Sequence, residues 1–147
     1  MLLLECTQKK DMLLSAVSYA AENIHSIADI GTSADTSDLR GYLEYVLIKF
    51  DELHLCFRDI HEELEGLQHT DEDVRKLYNS ISKEMMEGVI VKLGSLTGSS
   101  ENIREKAYLS VNIMEQYCHL KMNSEGMELD FDVMREKTLD SVMAILK

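Results

Sequence analysis

Residues 107–122 read AYLSVNIMEQYCHLKM, and their apolar positions recur at helical spacing rather than in strand-like alternation. On a wheel of about 100° per residue, the helix predicted over 101–122 carries two apolar arcs. Ile103, Ala107, Val111, Met114 and Cys118 form one arc. Leu109, Ile113, Tyr117 and Leu120 form a second, roughly 130° or more away. Glu105, Asn112, Gln116 and His119 fill the polar wedge between them. An ordinary surface helix has one apolar stripe. Two stripes leave two arrangements open: the helix is sandwiched between neighbours inside one bundle, or one arc faces the core and the other a second subunit.

The helical period continues on both sides of this stretch. A first helix is predicted over about 9–30, with Leu13, Val17, Ala20, Ile24 and Ile27 on one face, followed by the loop GTSADTSD. A second begins near Ser37 or Asp38 and carries Leu39, Leu43, Val46 and Phe50. The apolar phase then shifts to Leu53, Phe57, Ile60, Leu64 and Leu67, so two helices with a corner near Asp51 are expected. Thr70 and Asp73 form a T-x-x-D variant of the capping box. They are expected to open a helix with Val74, Leu77, Ile81, Met85, Val89 and Leu93 inward. GSLTGSS (94–100) reads as a loop whose Ser100 caps the next helix, with Glu101 in its first turn. After NSEGMEL (123–129), Asp130 is a predicted N-cap, with Leu129 and Met134 placed for a hydrophobic staple. The final helix carries Phe131, Met134, Leu139, Val142, Ile145 and Leu146. The fold class is therefore all-α, a bundle of about six helices in which residues 1–147 form a single domain.

Composition agrees. The chain has 147 residues, no proline and seven glycines, so little interrupts long helices. A chain of this length buries roughly 70% of its unfolded surface and needs no staples. The net charge of −12 repels phosphate backbones and anionic membranes. Cys6, Cys56 and Cys118 are odd in number and widely spaced, which fits a reducing cytosol rather than a disulfide framework. MLLL is too short for a signal peptide, and no run approaches the roughly 20 apolar residues of a membrane span. The nine methionines suit either a core of irregular shape or a tolerant pocket.

Catalytic signatures are sparse. Asp51, His54, Arg58, His61 and Glu65 recur at helical spacing beside the apolar stripe. His54 and His61 then stand two turns apart, about 10 Å along the axis, too far for one ion, and Arg58 between them disfavours a cation. No Ser-His-Asp or Cys-His arrangement, no glycine-rich phosphate loop and no paired Glu-x-x-His motif is legible; Asp51-x-x-His54 alone approaches the last. No metal, no cofactor and no enzymatic activity are expected.

Four stretches nonetheless form a familiar pattern: TQKKDMLLSAV (7–17), YLEYVLIKFDELHLCFRDI (42–60), DEDVRKLYNSISKEMMEGVIVKL (71–93), and AYLSVNIMEQYCHLKM followed by LDFDVMREKTLDSVMAIL (129–146). Together they resemble the C-terminal regulatory half of the TetR family of bacterial transcriptional repressors. The family's helix-turn-helix is not among them, and no segment of its length precedes Leu4. The resemblance implies a cytoplasmic homodimer joined through the last two helices and a small, mostly apolar effector among the central ones. It implies DNA contact only through the missing helix-turn-helix. Phe50, Phe57, Met85, Val89, Met114 and Cys118 lie on inward stripes and are the expected pocket lining, with His54 and Tyr117 as polar candidates. Leu109, Ile113, Tyr117, Leu120, Leu139, Val142 and Leu146 are the expected dimer contacts. The alternative is a helical protein-interaction module without a small ligand, its two arcs gripping another chain; a dry, closed core would favour it.

Overall fold

The structure, a computed structural model, describes residues 8–19, 22, 38–59 and 61–147. Six helices are present among them and no strand. Helix α1 covers residues 8–19. It is followed by α2 (Leu39–Cys56), α3 (His61–Thr70), α4 (Glu72–Thr97), α5 (Ile103–Met122) and α6 (Phe131–Leu146). The all-α bundle expected from periodicity is therefore observed. None of these helices is long and apolar enough to cross a membrane. Ala20, Ile24, Ile27, Ile60 and the loop 31–37 lie outside the described residues.

Aspartates set three helix starts. The Asp38 carboxylate accepts from the Gly41 N–H at 2.6 Å, and that of Asp130 from Asp132 and Val133 at 3.0 and 3.2 Å. Each satisfies backbone donors that have no partner inside the helix. At the third start the expected residue is displaced by one. Asp71, not Thr70, caps α4, accepting from Asp73 and Val74 at 3.0 and 3.2 Å. Thr70 still belongs to α3, where its hydroxyl donates back to the Gly66 carbonyl.

Two further boundaries differ from expectation. The chain does not turn at Asp51: α2 runs on to Cys56 and stops where the Phe57 N–H bonds to the Leu53 and Leu55 carbonyls. Asp51 instead accepts a hydrogen bond from Lys121 of α5 at 2.6 Å, so its carboxylate ties two helices rather than capping one. The expected loop 94–100 is mostly helix. Helix α4 continues through Gly94 to Thr97, whose hydroxyl donates to the Leu93 carbonyl, and Gly98 ends it at φ +65°. Ser100 is not the cap of α5; Asn102 occupies that position at φ 53° without a side-chain bond.

Among the described residues, two apolar clusters hold the bundle. The main core joins α2, α4, α5 and α6 around residues such as Leu43, Val46, Val89, Leu93, Val111, Met114, Leu139 and Val142. A smaller cluster joins Leu13 and Val17 of α1 to Leu64 of α3, with Phe57, Leu67, Leu77 and Ile81 packed on it. Burying a side chain of this size stabilises by about 1.5–3 kcal/mol before entropy is subtracted, so the larger cluster dominates.

Helix α5 touches α2, α4 and α6, which accounts for its doubled stripe. Ala107, Val111, Met114 and Cys118 are buried in the main core. The second arc divides. Tyr117 is buried against Phe131 of α6, their ring centroids 6.3 Å apart, and its hydroxyl donates to the Phe131 carbonyl. Ile113 is half-buried against the core, whereas Leu109 stays 55% exposed.

Candidate functional site

A cleft of about 320 Å³ opens where the two cores meet. Its apolar wall comes from Val17, Phe50, Leu53, Phe57, Leu64, Ile81 and Met85, contributed by both clusters and the turn between α2 and α3. Its polar wall comes from His54, His61, Glu65, Gln68, Tyr78, Ser82, Glu115 and His119. The cleft exists because α2 stops at Cys56. Helix α3 folds back toward α4, and the two cores stay separate instead of merging.

The same break brings three histidines together. His54 near the end of α2, His61 at the start of α3 and His119 on α5 stand with ring centroids 5.8, 4.8 and 4.9 Å apart. All three are half-buried, and one ring nitrogen of each lies within 4.8 Å of the others. The separation of about 10 Å deduced for His54 and His61 on one continuous helix is therefore wrong, because the helix breaks between them. Arg58 lies in the exposed turn and does not line the cleft, so the objection it raised to a cation also falls.

Electrostatics favour uncharged groups here. Burial pushes the His54 imidazole down; the Phe50 carbonyl draws it back up, while His119 and His61 oppose its charge. Its Nδ1 lies 2.7 Å from the Phe50 carbonyl oxygen. A carbonyl only accepts, so Nδ1 carries the proton and the neutral ring leaves Nε2 with its lone pair. Burial raises the Glu115 carboxyl, with His119 acting against that rise. Tyr78 is raised by burial and by Glu115 and Glu65. His61 Nε2 sits 3.7 Å from Glu65 Oε1, one turn along α3.

Of the expected pocket residues, Phe50, His54, Phe57 and Met85 line this cleft. Val89, Met114, Tyr117 and Cys118 do not; they pack inside the main core. Four expected dimer contacts are corrected likewise. Tyr117, Leu139, Val142 and Leu146 are at most 6% exposed, because the 139–142–146 stripe of α6 faces α2 and α5 of its own chain. Leu109, Ile113 and Leu120 keep exposed surface. His61 and Glu65, set aside with the Asp51–Glu65 series in the sequence, line the cleft; the polar lining residues outside that series are His119, Glu115, Gln68, Tyr78 and Ser82. Glu115 and His119 lie one turn apart on α5, and His119 stands in the polar wedge between the two arcs, a signal visible in the sequence. No family model, curated protein or solved structure matches the chain.

Proposed function

We propose that this chain is the effector-binding and dimerisation domain of a TetR-like transcriptional regulator, sensing a small, mostly apolar ligand in the cleft between the two cores. The carrying observation is the cleft itself. Its volume of about 320 Å³ falls at the lower end of the roughly 300–1,000 Å³ typical of small-molecule sites. Its walls combine an apolar side with convergent polar groups, the two kinds of surface that such sites use to bury and to orient a ligand. A closed, dry core would have favoured the interaction-module reading.

The arrangement suits signalling. Helix α5 supplies Glu115 and His119 to the cleft and carries Leu109 on its outer face. A ligand that fits the cleft better in one packing of α3 against α5 biases the equilibrium by that difference in affinity. The second subunit is assigned to the outer arc of Leu109, Ile113 and Leu120. A monomer by light scattering at micromolar concentration overturns that half of the proposal.

The ligand half is tested with N-phenyl-1-naphthylamine, a neutral apolar fluorophore. Saturable binding at one per chain is expected, lost when Ser82→Trp fills the half-buried wall of the cleft. Fluorescence that rises without saturation, or binding unchanged in Ser82→Trp, contradicts it.

A further inference from the structure

We propose that His54, His61 and His119 form a three-nitrogen site for a divalent transition metal of the zinc type, at the polar end of the cleft. The inference rests on the geometry of the three rings and not on the effector reading.

The three donors come from three different helices, so their convergence is a tertiary feature and not a by-product of one helix face. Tetrahedral zinc with nitrogen bonds of about 2.0–2.1 Å needs nitrogens about 3.4 Å apart. The present donor atoms lie within 4.8 Å of one another. Closing the widest pair therefore takes about 1.4 Å, within reach of ring rotation, because the terminal torsion of histidine has a broad well. His54 already has the outer-shell bond that metal-bound histidines use: its Nδ1–H is held by the Phe50 carbonyl, and Nε2 is left to coordinate.

Charge points the same way. The described lining of the cleft contains no lysine or arginine, while Glu65 and Glu115 stand in it. These carboxylates can hold the second nitrogen of a bound imidazole or take the fourth coordination position. Three histidines with an open fourth position leave room for water or for a donor atom of a cleft ligand.

The experiment uses the full chain stripped with a chelator and titrated with Zn2+ by calorimetry, and with Co2+ by visible absorption. One ion per chain is expected, with the intense bands of tetrahedral cobalt and a zinc-dependent rise in the unfolding midpoint. His119→Ala or His61→Ala should weaken zinc binding by about 100-fold or more, since outer-shell changes alone cost roughly 10–100-fold. His69→Ala, on the exposed end of α3, should leave binding unchanged. Histidine side-chain NMR of the unsubstituted chain gives a readout independent of any variant's folding: three imidazoles should shift together on adding one equivalent of Zn2+. No one-to-one binding, no shifted imidazoles, or affinity unaltered by His119→Ala overturns the proposal. Naphthylamine binding without zinc binding removes the metal site alone; zinc binding without naphthylamine binding removes the effector reading alone.

Discussion

Cys118 and Cys56 show how far one residue's chemistry follows from its depth. Cys118 is buried on α5, and burial pushes its thiol up to about 12, with Asp51 and Glu115 adding to the rise. Cys56 ends α2 and is exposed. The thiolate is the reactive form, so native alkylation with iodoacetamide near pH 8 should label Cys56 and spare Cys118. Peptide mass spectrometry after unfolding should then find Cys118 labelled as well. Equal native labelling of the two would mean that α5 is not packed as described. Burial of Cys118 was legible, because it shares a helical face with Ala107, Val111 and Met114. The meeting of His54, His61 and His119 was not, because their approach depends on a turn and on a contact between helices distant in sequence.

Helix existence was readable from periodicity, and helix ends only where a cap acts within three or four residues. Asp130 is legible this way, and Asp38 as one of two candidates beside Ser37. Asp51 and Thr70 misled because each offers a capping side chain that the structure uses otherwise, on Lys121 and on the Gly66 carbonyl. The run GSLTGSS misled because glycine and serine are loop-prone on average, yet Leu93 and Leu96 keep the last turns of α4 packed on the core. This placement has a thermodynamic consequence of opposite sign at two glycines. An added Cβ at Gly94 meets only atoms at 4.0 Å, so Gly94→Ala should stabilise by about 0.5–1 kcal/mol, the usual gain inside a helix. Gly98 holds φ +65°, so Gly98→Ala should destabilise by about 1–2 kcal/mol, the strain of a left-handed non-glycine residue. Urea unfolding of both variants measures this; two neutral changes would restore the loop predicted from sequence.

At the scale of the molecule, the deciding feature is that the buried apolar residues among those described form two clusters rather than one. Their membership follows from stripes readable in the chain, but the gap between them does not. It depends on where α2 stops, and the apolar phase shift placed that stop several residues too early. The second arc of α5 has the apolar pattern of a surface for another subunit, yet α6 covers its Tyr117 end and leaves Leu109 outside. What remains legible is the central place of α5, which lines the cleft with Glu115 and His119 and touches α2, α4 and α6. The claim that the gap between the cores is a binding site is tested most directly by mapping N-phenyl-1-naphthylamine onto the backbone amides by heteronuclear NMR. Shifts should concentrate around Phe50–His54, His61–Glu65, Tyr78–Met85 and Glu115–His119, with Leu139–Leu146 unmoved. Shifts confined to the outer face around Leu109, or absent at saturating probe, would contradict it.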